Sequence, residues 1–398
     1  MRICVVYDCL FPYTVGGAER WYRSLAERLA AEGHEVTYLT LRQWDRGATV
    51  EIDPRVEVIA VGPRLPLYTA SGRRRIRPPL RFGLGVLWHL VRHGRRYDVV
   101  HMASFPYFSL LAAALARSRG RFAIVTDWHE VWSRAYWRQY LGRIGGAIGY
   151  AVQRLCARVP QRAFCFSGLH AARLREEGLD GEITVLQGEY AGPLAPAPVQ
   201  PAQPLVVFAG RLIPEKRAPL GVAAVAAAIE RLPDLRGEFY GDGPERQALL
   251  ASIAEHGVSD AVTAPGFVES EVIDEALAHG LCMLLPSSRE GYSMVVVEAS
   301  AHGTPSIVVT AEDNAAVELV QDGVNGVIVA EPTAEAIADA IVRIHEAGPA
   351  MRERTARWFA ENAGRLSVEA SLLAVLDAYA DPPAASANAD WAYRAAAG

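Results

Sequence analysis

The chain has 398 residues, of which 51% are hydrophobic and 21% are charged, so it exceeds one hydrophobic core and two domains of about 150–200 residues are expected. No apolar run reaches the ~18–20 residues needed to span a bilayer, and the start, MRICVVYD, is a strand pattern interrupted by Asp8 rather than a signal peptide. Five cysteines without metal-ligand spacing predict reduced, buried thiols in a cytoplasmic protein.

The net charge of −5 is divided unequally between the two halves of the chain. Residues 1–190 carry a net charge of +10, whereas residues 191–398 carry −15. The stretch from Ile59 to Tyr97 holds nine arginines and no acidic residue. A basic amphipathic segment of this kind is typical of docking to anionic lipid, and the alternative is an ordinary solvated helix. Binding to nucleic acid is not indicated, because aromatic residues are not interleaved with the basic ones.

In the first half, strand-like and helix-like runs alternate, which predicts a parallel α/β layer structure. Strands are predicted near residues 2–8, 35–41, 55–61, 97–102, 122–126, 163–166 and 183–186, and helices near 18–31, 81–93, 105–117, 141–158 and 168–177. The Pro- and Ala-rich stretch 191–204 then predicts a linker between two domains.

The second half repeats the alternation. Strands are predicted near residues 205–209, 236–241, 261–264, 281–285, 306–310 and 326–329, and helices near 217–231, 244–256, 270–279, 293–302 and 333–346. Residues 350–380 are predicted to be helical, and the Ala-rich tail from Asp381 is predicted to fray. Two such domains predict a cleft between the carboxyl edges of two parallel sheets.

Residues 286–309, PSSREGYSMVVVEASAHGTPSIVV, carry the most specific chemical signal. A buried strand precedes them, and a helical pattern begins near Ser293 and ends at Gly303. Glu290 therefore lies just before a helix N-terminus, and Glu298 lies eight residues further along. A helix N-terminus binds anions. Carboxylates at both ends of an anion site suit a ligand with hydroxyls at its ends and phosphates in its middle, such as a nucleoside diphosphate sugar.

Lys216 is the only lysine in the chain. It stands five residues after Arg211, in AGRLIPEKR, where a strand ends at Ala209 and Gly210 allows a ligand to approach the backbone. Lysine supplies a compact charge where a planar guanidinium does not fit. Arg211 and Lys216 at a strand end therefore suit a diphosphate. The alternative is that one lysine survives by chance in an arginine-rich composition.

Several motifs, in order, resemble the family 4 retaining glycosyltransferases with the GT-B fold. They are the N-terminal strand, Gly16-Gly17 loop and helix, Gly210-Arg211-x4-Lys216, Gly241-Asp242-Gly243-Pro244, Pro265-Gly266-Phe267, Glu290-x7-Glu298 and Asp322-Gly323-Val324-Asn325-Gly326. The resemblance implies two Rossmann-like α/β domains, an acceptor-binding domain over 1–190 and a nucleotide-sugar domain over 205–349. Residues 350–380 would cross back to the first domain.

The resemblance also implies a reaction, the transfer of a hexosyl group from a nucleoside diphosphate sugar to a hydroxyl of an acceptor that is a glycolipid, a saccharide or a small metabolite. Arg211, Lys216 and Glu290 are then catalytic. Glu290 contacts hydroxyls of the donor sugar and Glu298 contacts the ribose. The other expected donor contacts are Gly16, Gly17, Gly266, Phe267, Val268, Gly291, Tyr292, Ser293 and Met294.

His129 follows a predicted strand that ends at Thr126. The family often carries a histidine there that touches the donor sugar, and we therefore expect His129 to be catalytic, although the segment is one residue longer than the family motif. The acceptor contacts expected nearby are Asp127, Trp128, Glu130 and Trp132. Trp132 and its aromatic neighbours either stack on a sugar or pack on a helix face.

The chain contains no Asp-x-Asp motif, so we expect no metal and no other cofactor. Glu290 is expected to stabilise positive charge at the sugar rather than to act as a covalent nucleophile. Base recognition is expected around Gly266–Val268, with UDP favoured over GDP. The alternatives are a sugar-nucleotide 2-epimerase or hydrolase on the same fold, and a protein that binds nucleotide sugars without catalysis.

Overall fold

The computed structural model describes residues 1–45, 47–67, 69 and 75–380. Arg73 and Arg74 of the predicted basic segment, and the tail 381–398 that was predicted to fray, lie outside the described residues. Within the described ranges, no helix is both long and apolar enough to cross a membrane. The five cysteines are free and buried, as predicted.

The chain divides into two compact units. Among the described residues, unit 1 comprises residues up to 69, residues 75–189 and residues 368–380, and unit 2 comprises residues 190–367. The predicted linker 191–204 therefore belongs to unit 2. The helical region predicted over 350–380 is two helices, of which the first stays with unit 2 and only the second joins unit 1.

Unit 1 is built on a parallel sheet of seven strands, in the order β3-β2-β1-β4-β5-β6-β7. The strands are β1 (Arg2–Val6), β2 (Glu35–Leu41), β3 (Val56–Gly62), β4 (Val99–Ala103), β5 (Ala123–Trp128), β6 (Arg162–Cys165) and β7 (Ile183–Val185). The helices are α1 (Gly17–Ala31), α2 (Arg77–His93), α3 (Tyr107–Gly120), α4 (Arg134–Ala157) and α5 (Gly168–Glu176).

Helices α2 to α5 cover one face of this sheet. The connections from β3 onward all step across the sheet in one direction, so right-handed crossovers place their helices on the same face. Their inward side chains, among them Phe82, Leu110, Trp137 and Leu174, share one buried cluster.

Helix α4 departs from the sequence prediction, which began it at residue 141. It begins at Arg134 and is broken at Gly142, where φ is 76° and ψ is −177°. The aromatic residues of the first half follow a helical spacing, and the sequence left open whether they pack on a helix face or stack on a sugar. The break needs glycine because only glycine adopts this backbone conformation freely.

Unit 2 is built on a parallel sheet of six strands, in the order β10-β9-β8-β11-β13-β15, with a separate pair β12-β14. The strands are β8 (Leu205–Ala209), β9 (Arg236–Tyr240), β10 (Val262–Gly266), β11 (Cys282–Leu285), β12 (Arg289–Glu290), β13 (Ser306–Val309), β14 (Asp313–Asn314) and β15 (Gly326–Val329). The helices are α6 (Ala218–Ile229), α7 (Arg246–Glu255), α8 (Ser270–His279), α9 (Met294–Ala301), α10 (Ala334–Ala347) and α11 (Pro349–Leu366).

The last helix, α12 (Val368–Ala380), lies in unit 1 and contacts α1. Its Tyr379 hydroxyl is hydrogen-bonded to Nδ1 of His101 on β4 at 2.5 Å, and Arg28 of α1 pairs with Glu369 at 2.6 Å. Leu372 and Val375 of α12 are also buried. Helix α12 is thus anchored on the side of the sheet opposite α2 to α5.

Candidate functional site

Four loops meet at one edge of the unit 2 sheet, because β8, β9, β10 and β11 are parallel and end there. Their first residues approach closely. A Cβ added at Gly241 would collide with the carbonyl oxygen of Gly210, and φ at Gly241 is 128°. Gly241 also donates its N–H to the carbonyl of Gly266 at 2.8 Å. These glycines allow the loops to pack side by side and expose backbone to a ligand.

Lys216 and Glu290, which are 74 residues apart in the sequence, meet at this edge. Lys216 Nζ donates to Glu290 Oε1 at 2.6 Å, and both side chains are largely buried, with exposed fractions of 17% and 8%. Lys216 ends the short 3-10 turn Pro214–Lys216 that follows β8, and Glu290 lies in β12 after β11. The two residues predicted to hold the diphosphate and the sugar thus form one partly buried ion pair.

The loop that carries Glu290 is fixed on both sides. Residues Arg289–Glu290 pair with Asp313–Asn314 in a parallel two-residue ladder. The Asn314 amide donates to the carbonyls of Ser287 at 3.0 Å and of Val309 at 2.7 Å. The N–H of Ser288 donates to the carbonyl of Glu215 at 2.8 Å, which ties this loop to the turn of Lys216. Sequence reasoning missed this support, since two-residue strands leave no periodic signal.

The N-terminus of α9 follows directly. The helix begins at Met294, and its N-cap Ser293 has an extended backbone and makes no side-chain capping bond. The first N–H groups of the helix therefore point along the axis past Gly291, where they can bind an anion. Glu298 lies one turn further along α9 and is half-buried. It faces Tyr190, whose pKa is raised by burial and then by the charge of Glu298.

The remaining predicted donor residues of unit 2 line the same edge. Arg211 is exposed just after β8. Phe267 is 71% exposed directly after β10, and Val268 next to it is partly buried. Gly266 has a positive φ of 97°. An exposed phenyl ring at a strand end offers a stacking surface for a base.

In unit 1, His129 follows β5 and lies between two aromatic rings. It stacks on Phe166 with the centroids 4.3 Å apart and meets Tyr22 edge-on. Its Nδ1 is 3.8 Å from Glu189 Oε1, whereas its Nε2 makes no hydrogen bond within the described part of the chain. Burial lowers the pKa of His129, opposed by the charges of Asp127 and Glu130. The lowered pKa favours the neutral ring, and the unpartnered Nε2 is itself buried.

Glu189, at the end of unit 1, is a residue that the sequence did not identify as part of the site. Its side chain is 10% exposed. Burial, together with the charge of Asp127, raises the pKa of Glu189 to about 7. A carboxyl group beside the histidine that can carry a proton near neutral pH belongs to the candidate site.

The predicted acceptor contacts Asp127 and Trp128 need correction, because both side chains are fully buried. Asp127 accepts hydrogen bonds from Trp21 Nε1 at 2.7 Å and from His101 Nε2 at 2.8 Å. Burial raises the pKa of Asp127, but His101, His129 and Trp21 together more than offset this, so that the pKa lies below its usual value. Trp128 packs in the core and donates to Gln161. Residues of β5 alternate between the two sheet faces, both covered, so neither side chain reaches a ligand.

Glu130 and Trp132, the other predicted acceptor contacts, bind each other. Trp132 Nε1 donates to Glu130 Oε2 at 2.6 Å. Trp132 also packs on Trp137 at 4.6 Å and edge-on against Tyr136 at 4.8 Å. It belongs to a packed aromatic group, although it is still partly exposed.

That aromatic group is organised by one buried amide, Gln153 of α4. Its Oε1 accepts from Tyr107 OH, Trp132 N and Trp137 Nε1 at 2.9–3.1 Å. Its Nε2 donates to Glu177 Oε1 at 2.7 Å. Burial raises the pKa of Glu177 to about 7.

The Gly16-Gly17 loop, a predicted donor contact, opens α1 with Gly16 in an extended conformation. A Cβ at Gly16 would collide with the carboxylate of Glu19, which is buried in the first turn of the same helix. An acid already complements the dipole of this helix N-terminus, so Gly16 and Gly17 are weaker anion ligands than predicted. Among the described residues, no group of three or more His, Cys, Asp or Glu side chains could hold a metal ion.

Comparison with known proteins identifies both halves of the chain. The family "Glycosyltransferase Family 4" matches residues 15–188, and "Glycosyl transferases group 1" matches residues 196–363. An alpha-D-kanosaminyltransferase of Streptomyces kanamyceticus is 32% identical over 41% of this chain and 41% of its own length. A 2-deoxystreptamine glucosyltransferase of the same organism is 29% identical over 29% of this chain. The chain thus spans less than half the length of these relatives.

Solved structures extend the likeness over nearly the whole chain. Sucrose-phosphate synthase from Thermosynechococcus elongatus has a TM-score of 0.75 at 20% identity and covers 95% of this chain and 98% of its own. Anabaena HepE in complex with UDP has a TM-score of 0.69 at 18% identity over 96% of this chain and all of its own. At these identities the likeness shows the fold, which is GT-B. Taken with the family matches over both units, it places this chain in the family 4 glycosyltransferases with the GT-B fold.

Proposed function

We propose that the protein is a retaining, metal-independent glycosyltransferase that moves a hexosyl group from a nucleoside diphosphate sugar to a hydroxyl of an acceptor. The observation that carries this proposal is the Lys216–Glu290 ion pair directly before the N-terminus of α9. One cation, one carboxylate and a set of helix N–H groups there match the charges of a sugar diphosphate.

The diphosphate is bound by Lys216, Arg211 and the first turn of α9. Lys216 is paired with Glu290, so a bound diphosphate shares the ammonium with that carboxylate. Glu298, one turn along α9, accepts from the ribose hydroxyls, and Phe267 stacks on the base. UDP is favoured over GDP, and a related fold, HepE, was solved with UDP.

Glu290 stabilises charge rather than attacking the sugar. A carboxylate bound to an ammonium at 2.6 Å has lost part of its nucleophilicity. It can still stabilise an oxocarbenium-like centre by its charge. The leaving phosphate oxygen then takes the proton of the acceptor hydroxyl, while the acceptor oxygen bonds to the anomeric carbon on the same face. Retention results without a covalent intermediate.

Within unit 1, His129 and Glu189 are the proposed ligand-binding residues. The unpartnered Nε2 of His129 suits a hydrogen bond with a sugar hydroxyl. Glu189 lies beside Nδ1 and holds the ring orientation. Glu130 and Trp132 contribute to the acceptor side. The two Streptomyces relatives are named for transfer of kanosamine and for glucosylation of 2-deoxystreptamine, so an aminocyclitol belongs in an acceptor screen beside glycolipids and saccharides.

A transfer assay with UDP- and GDP-hexoses in chelator tests the reaction, with the anomeric configuration followed by NMR. The expected product is a glycoside with the configuration of the donor, formed at an unchanged rate in chelator. Inversion would contradict the mechanism. Release of free sugar or of a 2-epimer, with no glycoside, would favour the hydrolase or epimerase alternative.

We also propose that the basic segment 59–97 contacts an anionic membrane through α2. Every exposed side chain over residues 75–96 is an arginine or a large hydrophobic residue. Leu84 and Trp88 are each 61% exposed, and Arg92 stacks over Trp88 at 3.8 Å. Among the described residues, neither Arg77 nor Arg81 pairs with a carboxylate. Guanidinium groups over an exposed apolar face complement lipid phosphates and the layer beneath them.

Vesicle sedimentation tests this contact. Binding should require anionic lipid, fall as salt rises, and weaken several-fold in Arg77→Gln/Arg81→Gln. Equal binding to neutral and anionic vesicles would exclude the electrostatic contact.

A further inference from the structure

The two halves of α4 fold back on each other as a helical hairpin. In an unbroken helix, residues 137 and 146 would be about 13 Å apart along the axis. Here a Cβ at Gly146 would lie 2.5 Å from the carbonyl oxygen of Trp137, and one at Gly149 would collide with the Trp137 ring. The reversal occurs at Gly142, with φ 76° and ψ −177°. Gly146 and Gly149 allow the two arms to touch, so Gly142 marks the end of a projecting hairpin.

The end of this hairpin exposes apolar side chains to solvent. Ile144 is 79% exposed, Ile148 60% and Leu141 41%. Together with Arg138, Arg143 and Ala147 we refer to these residues as the hairpin tip. Arg138, Arg143, Ile144, Ala147 and Ile148 line a surface groove of about 770 Å³. Exposing isoleucine to water is unfavourable, because fully burying one such side chain stabilises by ~1.5–3 kcal/mol relative to leaving it exposed.

The sequence around the tip is basic. Eight arginines and no acidic residue occur between Glu130 and Glu176. Within the described ranges, neither Arg138 nor Arg143 forms an ion pair. The tip also belongs to the helix layer on the same sheet face as α2. Apolar side chains next to guanidinium groups complement an anionic bilayer surface, where phosphates meet arginine and isoleucine enters the acyl region.

We propose that the hairpin tip of α4 inserts into an anionic bilayer, as a second contact beside α2. The inference rests on the proposed membrane contact, but it assigns a different role to a different element. The arginines of α2 provide salt-sensitive attraction, and Ile144 and Ile148 provide insertion. Two separate contacts on one face fix the orientation of unit 1 on the membrane, which a single helix cannot do.

An environment-sensitive fluorophore tests insertion directly. It is attached at Ile144→Cys, because all native cysteines are buried. Leu250→Cys on α7 of unit 2 is the control, because Leu250 is also exposed, at 39%. With vesicles of phosphatidylglycerol and phosphatidylcholine, the label at 144 should shift to the blue and that at 250 should not. Neither should shift with phosphatidylcholine alone. A label at 144 that stays in water while the protein sediments with the vesicles overturns insertion and leaves the α2 contact standing.

A second variant gives an independent readout. Ile144→Ser/Ile148→Ser should bind anionic vesicles at least tenfold more weakly, and the residual binding should keep its salt dependence. Binding of UDP and transfer to a water-soluble acceptor should be unchanged, which separates a failure of this inference from a failure of the enzyme assignment. Unchanged vesicle binding, or a blue shift that arises without lipid through self-association, would overturn the proposal.

Discussion

At the scale of single residues, the partnership of Lys216 and Glu290 is the main result. The sequence identified both side chains and the chemistry of each, but it did not predict that they touch. Their contact depends on the 3-10 turn after β8 and on the β12-β14 ladder, both too short to leave a periodic signal. The ion pair at 2.6 Å means that each of the two charges acts on the other, so neither role can be tested without considering its partner.

The contact leads to a prediction for Glu290→Gln. The neutral amide no longer stabilises positive charge at the sugar, so kcat should fall by about 10²–10³-fold. Because Lys216 loses its carboxylate partner, UDP should bind as tightly as in the wild type or more tightly. Steady-state kinetics and calorimetric titration measure the two effects. Glu275→Gln, an exposed acid on α8 that pairs with His279, is the control and should change neither; weaker UDP binding in Glu290→Gln would contradict the described role.

Glu177 makes stability depend on pH. Burial raises its pKa to about 7, above the value of an unfolded chain, so the folded state holds a proton that the unfolded state releases. The stability contributed by Glu177 is therefore fully present below about pH 4.5 and is lost as the pH rises through 7. Glu177→Gln cannot ionise, so it should unfold at a higher temperature than the wild type at pH 8, by a margin that shrinks at pH 5.

Differential scanning calorimetry at the two pH values measures that margin. Glu51→Gln, at an exposed acid elsewhere in unit 1, serves as the control and should show no such trend. The pKa of Glu189 is also about 7, but Glu189 is present in both proteins, so its effect on the unfolding temperature cancels in the comparison. A margin that is the same at pH 5 and pH 8 would show that the pKa of Glu177 is not raised in the folded protein.

At the scale of elements, α4 shows how glycine shapes a helix pair. Sequence periodicity placed one helix from residue 141, whereas the structure has two arms joined at Gly142. The missed arm carries Tyr136, Trp137 and Tyr140, which pack on Trp132 at the spacing of a helix. That spacing was present in the sequence, but the sequence left open whether these side chains pack on a helix face or stack on a sugar. The glycines at 142, 146 and 149 were present in the sequence, but their meaning depends on which backbone each one meets.

Gly142→Ala should destabilise unit 1. A Cβ is strained at φ 76° and ψ −177°, so the free energy of unfolding should fall by about 1–3 kcal/mol. Gly364→Ala in α11 is the matched control, because nothing lies within 4 Å of its added Cβ; it should be neutral or stabilising by ~0.5–1 kcal/mol. Denaturant unfolding followed by tryptophan fluorescence measures both. An equal effect of the two substitutions would contradict the turn at Gly142.

At the scale of the whole molecule, the α/β class, the two-unit division and nearly every strand were predictable from hydrophobic runs and turn residues. The strand Glu35–Leu41 and the helix Ser270–His279 match their predicted limits. The division differed at two points. The predicted linker 191–204 belongs to unit 2, and α11 stays with unit 2, so that the chain crosses to unit 1 only at Val368. No composition signal marks that point, because both helices are apolar on their inner faces.

The candidate site was predictable where a motif fixes local chemistry and not where burial decides. Lys216, Glu290 and His129 lie in the segments that follow β8, β11 and β5, as their positions after predicted strands indicated. Asp127 and Trp128 were expected at the acceptor but are core residues, as β5 is covered on both faces. Trp21, His101 and Tyr379 bind in or next to that buried network, and only the folded sheet brings them together.

The central claim, a diphosphate site built on Lys216, is tested most directly by calorimetric titration of UDP and GDP in chelator. Wild type should bind one nucleotide, UDP by preference, with micromolar affinity. Lys216→Ala should bind it at least tenfold more weakly while unfolding at the same temperature within a few degrees. Arg231→Ala, which removes an exposed ion pair with Asp339 elsewhere in unit 2, should bind as the wild type does. Binding to Lys216→Ala within twofold of the wild type, or to neither nucleotide by the wild type, would contradict the account.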